Sequence, residues 1–299
     1  MNIALPPSVD IHEVVLRDGI QNEKEIVSTD LKLKIIDRLT SCGVKRIEVS
    51  SFVNPRLVPQ MADAEELWDR IERKEGVTYS ALILSEAGLD RAIRCRVPHV
   101  GIFVSASETH SMKNSNKPVY KAKEEAMLLV RKAKSEGMGV RAGVMNVFGC
   151  AYEGAIQAKK VMELACAFAA CDPDEICLAD SSGMANPRQV KELLDLAQRS
   201  VKQEISLHLH NTRGRGLANL YAALESGIRI FDTSLGGLGG CPFIAGAKGN
   251  IATEDTVSML HAMNIETGID LDRVIQISLE FESLMHQSFP AMVTHLCEK

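Results

Sequence analysis

At 299 residues, with 45% hydrophobic and only 4% aromatic content, the chain is long enough for one large domain with an aliphatic core. Its formal net charge of −5, without any basic block, excludes a nucleic-acid partner, which would require a concentrated positive surface. The eight cysteines show no CxxC spacing and residues 1–10 no basic-then-apolar leader, so a cytoplasmic protein with reduced thiols is predicted.

Short β-branched-rich runs alternate with amphipathic stretches along the chain. The first strand is predicted over Ile11–Leu16, running into Arg17-Asp18. Ser28-Thr29-Asp30 then caps a helix over Leu31–Leu39, and Gly43 stands where a helix C′ glycine belongs. Strands follow over Arg46–Phe52, Thr78–Leu84, His99–Ser105, Gly139–Val147 and Glu175–Ala179, each nearly continuous in apolar character. The stretch Val161–Cys171 is the most apolar, but Glu163 interrupts it and it is too short to cross a membrane. Asn186-Pro187 opens a helix over Arg188–Arg199, with proline at its first position. Strands Ile205–His210 and Ile228–Thr233 flank a helix over Leu217–Glu225 that stops at Gly227. Helices over Thr253–Met263 and from Leu271 to about Met285 complete the chain.

Eight β-then-α units in series predict an α/β fold, a (β/α)8 TIM barrel over residues 1–265. Residues 266–299 are expected to add a helical extension to the same domain. An open, doubly wound sheet would need a nucleotide-type turn after the first strand, and Leu16-Arg17-Asp18-Gly19 is no such turn.

Sites in this fold lie at the C-terminal ends of the strands. Reactive residues gather there: Arg17-Asp18, Glu48 with Ser50-Ser51, Ser105-Ala106-Ser107-Glu108, Asp180, His208-Leu209-His210 and Asp232. At strand spacing, His208 and His210 point to one face, and two imidazoles beside Asp18 suit a metal ion. Zn²⁺, Mn²⁺ and non-haem iron all fit that set, and an added oxygen ligand would favour octahedral Mg²⁺ or Mn²⁺. Between Gly236 and Asn250, six glycines in fifteen residues surround Cys241. A cysteine on such a loop is well placed as an acid–base group that closes over a ligand.

Together the motifs Arg17–Glu23, Ile47–Val53 with Pro59–Met61, Ser105–Glu108, Gly149–Gly154, Asp180, His208-x-His210, Gly236–Pro242 and Gly249-Asn250 resemble one family. That family is the 3-hydroxy-3-methylglutaryl-CoA lyases, part of a wider group of metal-dependent barrels that includes isopropylmalate and homocitrate synthases. The resemblance implies cleavage of an acyl-CoA thioester to acetyl-CoA and a 3-oxo acid, a divalent cation (Mg²⁺ or Mn²⁺) and a homodimer. It implies that Asp18, His208, His210 and the Asn250 amide oxygen hold the metal. Arg17 then polarises the thioester carbonyl, Cys241 acts from the loop, and Glu48 and Asp180 are catalytic carboxylates beside His208. Gln21, Ser51 and Gly143 fall at substrate-binding positions. Three positions depart from the family: Cys177 for the usual Ser, Gly143 for Tyr, and Asn211 for Asp. The missing Tyr ring at 143 predicts room for a C3 substituent larger than methyl. A condensing synthase, a non-haem iron oxygenase and a non-catalytic acyl-CoA-binding relative are the competing readings.

Overall fold

Alternation, more than continuous apolar character, builds the strands. In the computed structural model, which describes residues 5–240 and 249–296, eight strands close in chain order into a parallel barrel. They are β1 (Asp10–Glu13), β2 (Arg46–Ser51), β3 (Thr78–Ile83), β4 (His99–Ser105), β5 (Gly139–Met145), β6 (Glu175–Asp180), β7 (Glu204–Leu209) and β8 (Ile230–Thr233). The helices are α1 (Thr29–Ser41), α2 (Ala64–Arg70), α3 (Glu86–Arg94), α4 (Glu108–Ser115), α5 (Val119–Ser135), α6 (Ala158–Ala169), α7 (Pro187–Ser200), α8 (Gly216–Glu225), α9 (Thr253–Ala262) and α10 (Leu271–Met285). Helix starts follow their caps: the Ser28 hydroxyl accepts from Leu31 N, and the Asn186 side chain from Gln189 N. Gly43 follows α1 at φ +98°, where a Cβ would lie 1.9 Å from the Gly268 carbonyl oxygen, so only glycine fits.

Outward-facing Ile47, Val49, Val100, Ile102, Val140, Ala142, Ile176 and Leu178 are buried in the single apolar core. The inward positions are different. Arg141 on β5 touches His12 on β1, Cys177 on β6, Ser206 on β7 and Asp232 on β8, contacts that only the barrel interior allows. The barrel is thus plugged by a buried polar layer where such interiors are usually aliphatic.

Strand one is shorter than the sequence suggests. It ends at Glu13, and Val15–Gly19 coils into one wide turn, with Gly19 N bonding Val14 O and Ile20 N bonding Val15 O. Apolar Val14–Leu16 imitates a continuing strand, but the buried Glu13 carboxylate takes Val15 N and turns the chain. Arg17 and Asp18 therefore stand on a helical turn inside the barrel mouth. No described helix is long and apolar enough to cross a membrane.

Candidate active site

The β7 pleat brings His208 and His210 to one side, with their Nε2 atoms 2.9 Å apart. Asp18 Oδ2 lies 3.6 Å from His210 Nε2 and 4.0 Å from His208 Nε2. One ligand atom from each residue falls within 4.8 Å of the others, the sole such cluster among the described residues. Asn250 joins them because residues 249–251 run beside β7: Asn211 N bonds Gly249 O and Ile251 N bonds Leu209 O. The Asn250 Nδ2 donates to Asp18 Oδ2 at 2.8 Å and to Leu238 O at 2.9 Å.

This set fits a cation on three observations. Asn250 Oδ1 is buried with no hydrogen-bond partner among the described residues, although buried polar atoms nearly always have one. Two imidazole nitrogens and a carboxylate oxygen converge in a space too tight for three hydrated groups. Third, Asp232 Oδ2 lies 3.0 Å from His208 Nδ1. A carboxylate there keeps the proton on Nδ1 and aims the Nε2 lone pair into the cluster. Burial alone would raise Asp18, but the Arg17 charge and the neighbouring histidines hold it well below the ordinary carboxylate range. Asp18 is therefore ionised and ready to ligate.

Arg17 is 8% exposed and shared between two carboxylates. Its Nη1 donates to Asp18 Oδ1 at 2.6 Å and its Nε to Glu48 Oε2. Gln21 Nε2 donates to Asp18 Oδ1 at 3.2 Å. The other sequence candidates sit less directly. The Ser51 hydroxyl donates to Leu82 O on the neighbouring strand. Asp180 accepts Met184 N and Ala185 N, one on each oxygen, at 2.9 and 3.0 Å. Burial raises its pKa against those hydrogen bonds. The volume above Gly143 is not empty: a Cβ there would lie 2.1 Å from Cε1 of Phe103, whose ring occupies the space. Cys241 lies outside the described residues, although both stems of its segment are well anchored. Asn22 Nδ2 donates to Gly240 O at 3.0 Å, and Gly249 is pressed so close to Gly237 and Gly239 that a Cβ would lie 2.3 Å from Gly239 O.

Sequence reasoning placed Asp232 at the end of strand eight but missed Arg141 and His12 beside it. Arg141 Nη2 donates to Asp232 Oδ1 at 2.7 Å, and His12 Nδ1 stands 3.5 Å from the same oxygen. Against burial, the Arg141 charge and hydrogen bonds from His12 and His208 keep Asp232 well below the usual carboxylate range. Cys177 lies 2.9 Å from Arg141 Nη2, and burial pushes its thiol up to about 12, so it stays protonated. The available signal was an arginine and an aspartate at inward strand positions, where charge demands a partner.

The HMGL-like family profile matches residues 8–279. A hydroxymethylglutaryl-CoA lyase of Bacillus subtilis is 39% identical over 96% of this chain and 96% of its own length. The mitochondrial hydroxymethylglutaryl-CoA lyase of Homo sapiens is 39% identical over 91% of this chain and 84% of its own. A solved HMG-CoA lyase from Acinetobacter baumannii, in complex with coenzyme A and 3-methylmalate, superposes with a TM-score of 0.94 at 37% identity. That match covers 99% of this chain and 97% of the other.

Proposed function

The chain belongs to the HMGL-like family, and from that membership we propose that it cleaves 3-hydroxy-3-methylglutaryl-CoA to acetyl-CoA and acetoacetate. It is a carbon–carbon lyase of the hydroxymethylglutaryl-CoA lyase type. The observation that carries the reading is the placement of a guanidinium, Arg17, 2.6 Å from one oxygen of Asp18, whose other oxygen faces the paired histidines. One site thus joins a cation cradle to an enolate-stabilising charge.

Breaking the C2–C3 bond requires the C3 hydroxyl to lose its proton while the thioester side accepts the electron pair. Asp18, His208, His210 and the Asn250 amide oxygen would hold a divalent cation, Mg²⁺ or Mn²⁺. When bound, it supplies Lewis acidity that lowers the hydroxyl pKa and orients the oxygen. Arg17 is assigned to the thioester oxygen, where charge develops only as the bond breaks. Glu48 fixes the Arg17 fork from the β2 side, and Gln21 steadies Asp18. Asp180 orders the turn at the end of β6 through Met184 N and Ala185 N, and is assigned a supporting carboxylate role there. Cys241 is assigned the proton that the enolate carbon must receive.

The test is direct. Purified protein supplied with 3-hydroxy-3-methylglutaryl-CoA should release acetyl-CoA and acetoacetate with Mg²⁺ or Mn²⁺, stop with a chelator and resume when cation is returned. No release with either cation overturns the proposal.

A further inference from the structure

Phe103 and Gly143 face each other across the β4–β5 ladder. The Phe103 ring leans over the glycine so closely that a Cβ on residue 143 would lie 2.1 Å from Cε1 and 2.3 Å from Cδ1. Along its other edge, a Cβ on Gly101 would lie 3.1 Å from Cε2, and 3.4 Å from Oε1 of Glu48. The ring is thus seated in a slot walled by two glycines. Beneath it the Arg141 guanidinium carbon lies 5.6 Å from the ring centroid, a cation–π distance.

Phe103 projects into the barrel, and unlike its buried neighbours Ile102 and Val104 it keeps part of its surface exposed. An inward side chain can be exposed only toward the mouth. The Cε2 edge of the ring and Glu48 Oε1 both border the Gly101 position, and Glu48 pairs with Arg17, which pairs with Asp18. The ring is the apolar wall of a site whose other named groups are charged or polar.

We propose that Phe103 sets the size of the C3 substituent this enzyme accepts, an inference that rests on the lyase reading above. Seated in the glycine slot, the ring lies back against the strands and leaves the width of the mouth to the substrate. A side chain at 143 would lever it forward. The ligands are 3-hydroxyacyl-CoA thioesters whose C3 group packs on the ring edge, so discrimination follows the ring and not residue 143 itself.

The experiment compares kcat/KM for thioesters carrying methyl and propyl at C3. In Gly143→Ala the displaced ring should lower the propyl-to-methyl ratio by about tenfold or more, within the range one or two methylenes command in an apolar pocket. In Phe103→Leu the ratio should rise by a comparable factor. The double variant should show the ratio of Phe103→Leu alone, because no ring remains to be levered. A Phe103→Leu ratio within about twofold of the unmodified enzyme overturns the inference, whether or not Gly143→Ala folds. An unmodified protein that releases acetyl-CoA from neither thioester refutes the lyase reading instead.

Discussion

Two residues separate cation binding from turnover. Asp232 holds His208 through Nδ1 and is itself held by Arg141. Asp232→Asn should keep the fold while weakening Mg²⁺ or Mn²⁺ binding by about 10- to 100-fold, the usual effect of losing a carboxylate behind a ligating histidine. Titration calorimetry checks this, and unchanged affinity would reduce Asp232 to core filling. Arg17 is the second. Arg17→Gln should retain cation affinity within a few fold yet lose about 10²-fold or more in kcat, the scale of one removed oxyanion donor. A folded variant with near-normal kcat would remove Arg17 from the mechanism. The histidine pair was legible because strand spacing dictates it, and Asp18 because it adjoins a strand end. Arg141 was not, nor were the partners of Asp232, since periodicity says that a residue faces inward but not which distant charge it meets. At Gly143 the sequence shows the missing Tyr ring but not the Phe103 ring that leans over the glycine.

At the scale of one element, the segment that follows β8 is clamped at its root by two buried acids. Glu13 accepts Leu235 N at 2.9 Å, and Glu254 accepts Gly236 N on both oxygens at 2.9 and 3.0 Å. Burial raises Glu13 to about 7 and Glu254 to about 8 from an ordinary 4.5. The folded protein therefore keeps protons that the unfolded chain has released. The stability this gives is complete below about pH 4.5 and is lost as pH rises through about 8. Glu254→Gln, which cannot ionise, should flatten the decline of Tm between about pH 6 and about 8.5. Parallel melting profiles for the two proteins would show that Glu254 does not titrate in that window. Helix starts were legible at Ser28 and Asn186, where the cap is local. The end of β1 was not, because the Glu13 carboxylate that turns the chain also answers to Leu235 and Thr253, more than two hundred residues away.

Across the whole molecule, the cation cradle and the glycine-rich segment share a single side chain. Asn250 donates to Asp18 in the cradle and to Leu238 in the stem. Gly239, at φ +98°, packs against both partners: a Cβ there would lie 2.6 Å from Asn250 Nδ2 and 2.8 Å from Asp18 O. Two events that meet at one residue exchange free energy, and the exchange is symmetric: whatever factor cation binding adds to the ordering of the stem, stem ordering returns to cation affinity. Gly239→Ala replaces no proposed ligand but presses on two of them, Asn250 and Asp18, so it should weaken cation binding measured in the absence of substrate, together with turnover. Loss of turnover at unchanged affinity would show that the two are uncoupled. With that coupling in place, any ligand that holds the stem at Leu238 and Gly239 also tightens a cation held by Asp18 and Asn250.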